Sequence, residues 1–321
     1  MRGNELGRIL IVGGAGYVGG FMTDEAIRFG HEVIVIDNLT YEDTYFKDVD
    51  FRFGDVTDHE FINSNLKNID CVIWLAALVG DPACAINPYL TLQINVESIR
   101  NLVKNYDGKI IFPSTCSVYG AQEGLLNEKS TLNPLSLYAE SKLEAERILL
   151  ESKSSPTIFR LGTLFGLSDS HARLRVDLVL NVLTIRAFLE GKMSVFGGKQ
   201  YRPLLHVKDV ATAAIASLQN DSIGVYNLLS ENVTILELAE RIQKILPNTN
   251  LEVTSMSFQD SRNYRVDGNL AKEVLHFSPK YTIEDGIAEI LKLLKEKRIK
   301  DISNPRFINS ELLRLRIEAQ N

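Results

Sequence analysis

Tyr138 and Lys142, in the run YAESK, stand four residues apart, a spacing that puts both on one face of a helix. A phenol with an ordinary pKa near 10 is a poor base at neutral pH, and a neighbouring ammonium favours its ionised form. Upstream, the run PSTCSVYG closes an apolar stretch at Thr115, and Gly120 of that motif lies 18 residues before Tyr138. The Thr115 hydroxyl can share a hydrogen bond with a substrate oxygen. Together Thr115, Tyr138 and Lys142 suit removal of a proton from a hydroxyl group. The same Tyr-x-x-x-Lys spacing also arises in any amphipathic helix with a core tyrosine and an exposed lysine, so its meaning depends on what accompanies it.

What accompanies it is a glycine turn. GGAGYVGG follows the apolar run RILIV, with the spacing Gly13-x-x-Gly16-x-x-Gly19. A tight strand-to-helix turn needs a residue free to take positive φ. The absent side chain at Gly16 lets a pyrophosphate approach the backbone, and Gly19 permits close helix–strand packing. The helix N-terminus then offers N–H donors to the phosphates. Asp37, 21 residues after Gly16, ends the second apolar run. A carboxylate there accepts hydrogen bonds from the adenosine ribose and repels a 2′-phosphate, favouring NAD over NADP. Asp55 and Val56, at the end of a third run, are placed to meet the adenine edge. With a nicotinamide as hydride acceptor, the hydroxyl that loses its proton to Tyr138 is oxidised at the same carbon. Lys142 can also hydrogen-bond the nicotinamide ribose.

The elements that must position these residues are readable along the first half. Strands are expected at 8–14, 31–38, 48–56, 70–78, 109–115 and 156–162, with helices at 17–30, 58–67, 88–106 and 134–153. Near-continuous apolar strands alternating with helices mean a parallel sheet covered on both faces. The expected fold is α/β, a Rossmann-type doubly wound parallel sheet with a smaller mixed α/β C-terminal lobe. We place the dinucleotide-binding part at 1–165 and the substrate lobe at 166–321, interleaved with the last strand or two of the sheet. Strand-like pieces at MSVFGG, VYNLL and LEVTSMS mix there with helices near 175–190, 207–219, 234–246 and 283–297. The charged tail from Arg298 to Asn321 reads as a terminal helix or a frayed end.

Composition narrows the class. Of 321 residues, 45% are apolar, enough for a packed core. The net charge of −6 argues against nucleic acid or an anionic membrane as partner. Cys71, Cys84 and Cys116 have no metal-binding or paired spacing, so neither a zinc site nor a disulfide scaffold is expected. The N-terminal run is too short for a signal peptide, and no stretch reaches the ~18 apolar residues of a membrane span. The expected setting is the cytoplasm.

Taken together, these motifs resemble the extended short-chain dehydrogenase/reductase family, in its nucleotide-sugar epimerase/dehydratase branch, from about Arg8 to Lys295. The resemblance rests on GGAGYVG, Asp37-Asn38-Leu39, LAALVGDP, Asn95, STCSVYG, YAESK, RLGTLFG, RPLLHVKDVA, YNL and YTIEDGI. It implies tightly held NAD and a sugar linked to a nucleoside diphosphate. In UDP-galactose 4-epimerases of this branch, hydride leaves sugar C4, the 4-ketose rotates, and hydride returns to the other face. By the same resemblance Thr115, Tyr138 and Lys142 are catalytic. Gly13, Gly16, Tyr17, Val18, Gly19, Asp37, Asn38, Asp55, Val56, Leu75, Ala76, Ala77 and Asn95 fall on cofactor positions, with Tyr138 and Lys142. Val79, Thr115, Thr163, Arg175, Asn181, Arg202 and Arg262 fall on the substrate side. Arg202 matches an arginine that grips the diphosphate, a task suited to its planar fork. A homodimer is implied, with helices near 88–106 and 134–153 packing as a four-helix bundle. The apolar stripe Leu92, Val96, Ile99, Val103 suits that bundle, and equally suits packing on the sheet.

Departures from the branch narrow the chemistry. Its 4,6-dehydratases read Thr-Asp-Glu where this chain has Thr115-Cys116-Ser117, so the acid pair for eliminating water is absent, and Cys116 reads as a small core residue. Thr163 stands where many relatives carry asparagine, and Pro203 follows Arg202 in place of an acid. Arg262 and Arg265 stand in for a missing late arginine. Arg173, Arg175 and Asn181 occupy a segment that fits either a diphosphate loop or a solvated one. Two activities stay open: a 4-epimerase, or an NAD-dependent C4 dehydrogenase or 4-keto reductase. A non-catalytic dinucleotide sensor is disfavoured because Tyr138 and Lys142 are both kept. A small-ketone or steroid reductase is disfavoured by the long C-terminal lobe and Arg202. The nucleoside and the sugar are left open.

Overall fold

Alternation along the first strand sets the plan of the molecule. Ile9 and Ile11 of Arg8–Val12 point to one face of a sheet, Leu10 and Val12 to the other, and all four are buried. In the computed structural model, which describes residues 7–169, 173–218, 222–254, 263–299 and 301–319, each face seeds its own core. Ile9 and Ile11 pack with Met22, Val35, Val210 and Ala214, beneath the helices Gly19–Arg28 and Val207–Leu218. Leu10 and Val12 pack with Trp74, Ile99, Leu102 and Leu149, beneath the helices Ser98–Asn105 and Leu137–Leu150.

Among the described residues, seven parallel strands form this sheet. From one edge to the other they run Gly224–Leu228, Ser155–Leu161, Lys109–Thr115, Cys71–Trp74, Arg8–Val12, Glu32–Asp37 and Asp50–Phe53. The order reverses direction between Arg8–Val12 and Cys71–Trp74. In such sheets ligands bind in the crevice outside the carboxyl ends at the reversal. Gly13 and Leu75 follow directly from those two ends. Gly224–Leu228 comes from the second half of the chain, so one late strand completes the sheet. No helix among the described residues is long and apolar enough to cross a membrane.

The second half builds its own core from Leu180, Leu204, Leu238 and Ile287. Short strands frame it. Tyr201–His206 pairs parallel with Thr163–Phe165 and antiparallel with Glu231–Thr234, while Asn250–Thr254 pairs with Lys192–Phe196. Ala121–Leu126 pairs with Asn263–Val266 and was not expected from the sequence, because it is largely exposed and carries Gly124. The helix expected at 88–106 is broken by a π turn at Gln93–Glu97. Within it Val96 and Ile99 pack on the sheet while Leu92 is exposed, so the stripe serves the core more than an outer face. The tail forms a helix, Asn309–Glu318, with Leu313 buried.

Gly19 opens the first helix against the turn. A Cβ there would lie 2.3 Å from the carbonyl oxygen of Gly14, and backbone cannot yield as a side chain can. Gly19→Ala should cost about 1–3 kcal/mol of stability, read as a melting temperature lowered by several degrees. A variant melting with the wild type would refute this packing role.

Candidate active site

The crevice at the reversal is a cavity reaching from Asp37 and Val56 at one end to Tyr138, Lys142 and Leu161 at the other, floored by Leu75–Val79. Gly13 sits at φ +85°, and a Cβ there would come within 2.5 Å of the Ala76 nitrogen. Only glycine lets the two strand ends approach so closely. At Gly16 an added Cβ would meet nothing closer than the Gly13 carbonyl at 3.3 Å, so the backbone is open on the cavity side. Asp37 accepts hydrogen bonds from Ala15 N at 3.0 Å and Leu39 N at 2.8 Å, which fixes its carboxylate on the cavity wall. Burial raises its pKa against the pull of these N–H groups. A bare backbone turn, a carboxylate one strand away and an elongated cleft joining them fit a dinucleotide.

At the other end the proton-handling groups converge. Thr115 ends the strand Lys109–Thr115, and its hydroxyl accepts from Ser117 N at 3.1 Å. Tyr138 lies in the first turn of Leu137–Leu150, a helix capped by Ser136, whose hydroxyl accepts from Ala139 N and donates to Asp81 at 2.6 Å. The Thr115 side chain acts on the Tyr138 phenol and favours its ionised form. Burial is the largest influence on that phenol and pushes its pKa up, against the pull of Thr115 and the Arg175 charge. Lys142 is buried, with Nζ 3.9 Å from the centre of the Phe112 ring. Burial lowers its pKa to about 7, and Glu146 pulls the other way. After burial, the groups acting most on Tyr138 are Cys84, Thr115, Arg175 and Asp81.

Comparison with known proteins gives this geometry a context. The sequence model of the "NAD dependent epimerase/dehydratase family" matches residues 9–228. The chain belongs to that family. It is therefore an NAD-dependent enzyme. It is 27% identical over 300 residues to UDP-glucuronic acid decarboxylase 1 of Arabidopsis thaliana, covering 88% of this chain and 69% of that protein. It is 26% identical over 321 residues to UDP-glucose 4-epimerase of Lactobacillus helveticus, covering 89% and 96%. The solved structure of MoeE5 in complex with UDP-glucuronic acid and NAD superposes with a TM-score of 0.77 at 26% identity, covering 90% of this chain and 99% of that one.

The remaining residues expected of this family enzyme fall in three groups. Gly13, Gly16, Tyr17, Val18, Asp37, Asn38, Val56, Leu75, Ala76, Ala77, Val79 and Arg175 line the cavity with Tyr138 and Lys142. Others stand behind the wall and brace it. Asn95, inside the π turn, bonds both backbone groups of Leu78 and the Ser141 hydroxyl. Asp55 accepts from Asn38 at 2.6 Å and from Thr57; burial raises its pKa, but these hydrogen bonds outweigh it and hold the carboxyl low. Asn181 accepts from Gly166 N and donates to Arg175 O, while Tyr17 donates to Gly166 O at 2.7 Å. Thr163 and Arg202 lie on paired strands outside the cavity wall, Arg202 buried with a bond to Tyr201 O. Gly19 serves helix packing. Arg262 lies outside the described residues.

The cavity also has lining that motif reading missed: Tyr41 and Glu42 from the loop after Asp37, and Asn309 from the tail. Arg173, noted only as one of a basic cluster, joins them. Burial raises Glu42 to about 7. No motif marks Arg173 or Asn309, because each is brought to the cavity by contacts distant in sequence.

Lys142 gives a pH signature. In the unfolded chain a lysine titrates near 10.4, in the folded one Lys142 titrates at about 7. Between those values the unfolded chain binds the extra proton, so stability from this site rises with pH across the window. Below pH ~7 the whole cost of the buried charge is present. Lys142→Met removes both cost and titration. In urea unfolding, wild type should gain on Lys142→Met by an order of a few kcal/mol between about pH 7 and about pH 10. A gap that stays constant would mean that Lys142 titrates normally.

Proposed function

We propose that this enzyme is an NAD-dependent nucleotide-sugar 4-epimerase. The observation that carries the reading is that Tyr138 and Lys142 stand at one end of a single cleft, with Thr115 acting on the Tyr138 phenol, and that Asp37 and the open glycine turn stand at the other. In this reading Gly13 and Gly16 receive the pyrophosphate of NAD, Asp37 the adenosine ribose, and Lys142 the nicotinamide ribose. Held there, NAD would supply the hydride acceptor and donor for sugar C4, and the positive charge of its oxidised ring would favour the Tyr138 phenolate. Tyr138 takes the C4 hydroxyl proton and returns it, while Thr115 shares a hydrogen bond with the same oxygen. Arg175, which lines the same cleft, serves the diphosphate of the substrate.

The relatives support the substrate class, since the named neighbours act on or bind UDP-linked sugars. Cys116 is fully buried against the Arg160 carbonyl, and with Ser117 it replaces the acid pair that water elimination needs. Residues 1–165 serve mainly the cofactor and 166–321 the substrate. The exposed Tyr89, Leu92, Leu135 and Leu150 suit a homodimer through the helical face, and the three free, buried cysteines suit a reducing cytoplasm.

Purified protein, with no cofactor added, is incubated with a panel of nucleoside-diphosphate sugars and followed by NMR of the anomeric protons. A second sugar growing to a fixed ratio is expected. Accumulation of NADH or a 4-keto sugar without a second epimer would instead assign a C4 dehydrogenase. Tyr138→Phe should lower turnover by about 10²–10⁴-fold with NAD still bound. Full activity in that variant would remove Tyr138 as the base.

A further inference from the structure

The tail of the chain, beyond the stretch that matches the family, reaches back to the cavity. Asn309 is buried and lines it. Its side chain donates to Val79 O at 3.1 Å and accepts from Arg173 Nη2, and its backbone N–H donates to Asp177 at 3.2 Å. Asp177 in turn holds Arg175 through two hydrogen bonds, at 2.6 and 3.0 Å. Arg306 O accepts from Arg173 Nη1 at 2.9 Å, and Phe307 O from Val176 N at 3.0 Å. Leu313 and Ile317 of the tail helix pack in one cluster with Tyr41 and Tyr138. One segment thus ties down three pieces of the cavity wall.

Two polar atoms in that wall are left over. Arg173 is 6% exposed, and its Nε has no hydrogen-bond partner among the described residues; the nearest carboxylate oxygen, of Glu42, is 3.9 Å away. The Tyr41 hydroxyl is buried and also has no partner, and the Arg173 guanidinium lies 4.8 Å from the centre of the Tyr41 ring. Buried donors are normally satisfied, and leaving one unmet costs about 1–3 kcal/mol. Here the two belong to neighbouring residues that both line the cavity, next to a second guanidinium already committed to Asp177. A donor pair of this kind, one of the two on a guanidinium, matches an anionic oxygen. Burial raises the Tyr41 phenol to about 12, so it stays a donor at neutral pH.

We propose that the C-terminal segment is a working part of the ligand cavity: Asn309 and the Arg306 carbonyl fix Arg173 so that its free Nε and the Tyr41 hydroxyl contact a phosphoryl oxygen. The inference rests on the reading that the cavity takes NAD and a nucleoside-diphosphate sugar. Both carry a diphosphate, and the test separates them.

Tyr41→Phe removes only an unpartnered hydroxyl, so a purely structural role leaves binding unchanged and the ligand-free melting temperature equal or higher. Calorimetry on nucleotide-stripped protein is run with NAD+ and, separately, with UDP, GDP, CDP and dTDP. Expected is a loss of about fivefold or more for one diphosphate ligand in Tyr41→Phe, and a loss for the same ligand in Asn309→Ala. Weaker NAD+ assigns the contact to the cofactor; a weaker nucleoside diphosphate assigns it to the substrate. The proposal is overturned if Tyr41→Phe binds NAD+, and every nucleoside diphosphate that wild type binds, within about twofold. Its tail component is overturned if only Asn309→Ala is unaffected. Binding is measured without turnover, so a failed sugar panel would sink the epimerase reading and leave this result standing.

Discussion

Beneath the reactive groups lies a buried ion pair on which their placement depends. Glu146 and Arg160 are both almost fully enclosed, and Arg160 donates to Glu146 through Nε and, at 2.7 Å, through Nη2. Glu146 also accepts from the Ser114 hydroxyl, one residue before Thr115. The helix that carries Tyr138 and Lys142 is thereby fixed to the strand that carries Thr115 and to the next strand along. The pair continues outward: Arg160 donates to the Tyr119 hydroxyl at 3.0 Å, Tyr119 to Asn227 at 2.8 Å, and Asn227 to Asp267 O at 3.0 Å. A chain of satisfied polar groups in a low-dielectric interior is rigid, and losing one partner strands the others. It also sets the state of Lys142. Glu146, four residues on, is committed to Arg160 and only partly offsets the burial of the ammonium. A lysine that titrates at about 7 results, poised to give or hold a proton under ordinary conditions.

The two halves of the chain share one cavity. Tyr17, in the glycine turn, is tied to Gly166, Gly166 to Asn181, and Asn181 to Arg175. Leu167 N donates to Glu289 at 2.9 Å, and Glu289 meets His206 and Lys208. The position of Arg175 relative to Tyr138 is therefore set by the C-terminal core, while that of Asp37 is set by the main sheet. Residues that would touch cofactor and substrate are held by separate frameworks that meet at the cleft.

The sequence made the local part of this legible. The glycine turn, Asp37, and the spacing of Thr115, Tyr138 and Lys142 are short-range patterns whose meaning follows from strand and helix geometry. The main sheet was readable for the same reason, since most of its strands are apolar runs. What stayed hidden is long-range. Asn309 meets Val79 across 230 positions and Arg173 across 136, and neither pairing leaves a periodic trace. Asn95 fell on a cofactor position by resemblance, yet here its side chain is spent on Leu78 and Ser141. The strand Ala121–Leu126 has no apolar alternation to betray it, because most of it faces out.

The π turn at Gln93–Glu97 has a consequence for how this region tolerates change. A π turn carries one more residue than the α-helix around it, and each helical residue advances the side chain by about 100°. The turn is thus a phase offset between Pro88–Leu92, with Tyr89 and Leu92 outward, and Ser98–Asn105, with Ile99 and Leu102 on the sheet. Deleting one residue there would leave an unbroken helix with better local hydrogen bonding. It would also swing one flank away from its neighbours, and Asn95 away from Leu78. This stretch can absorb substitutions in type more readily than any change in length.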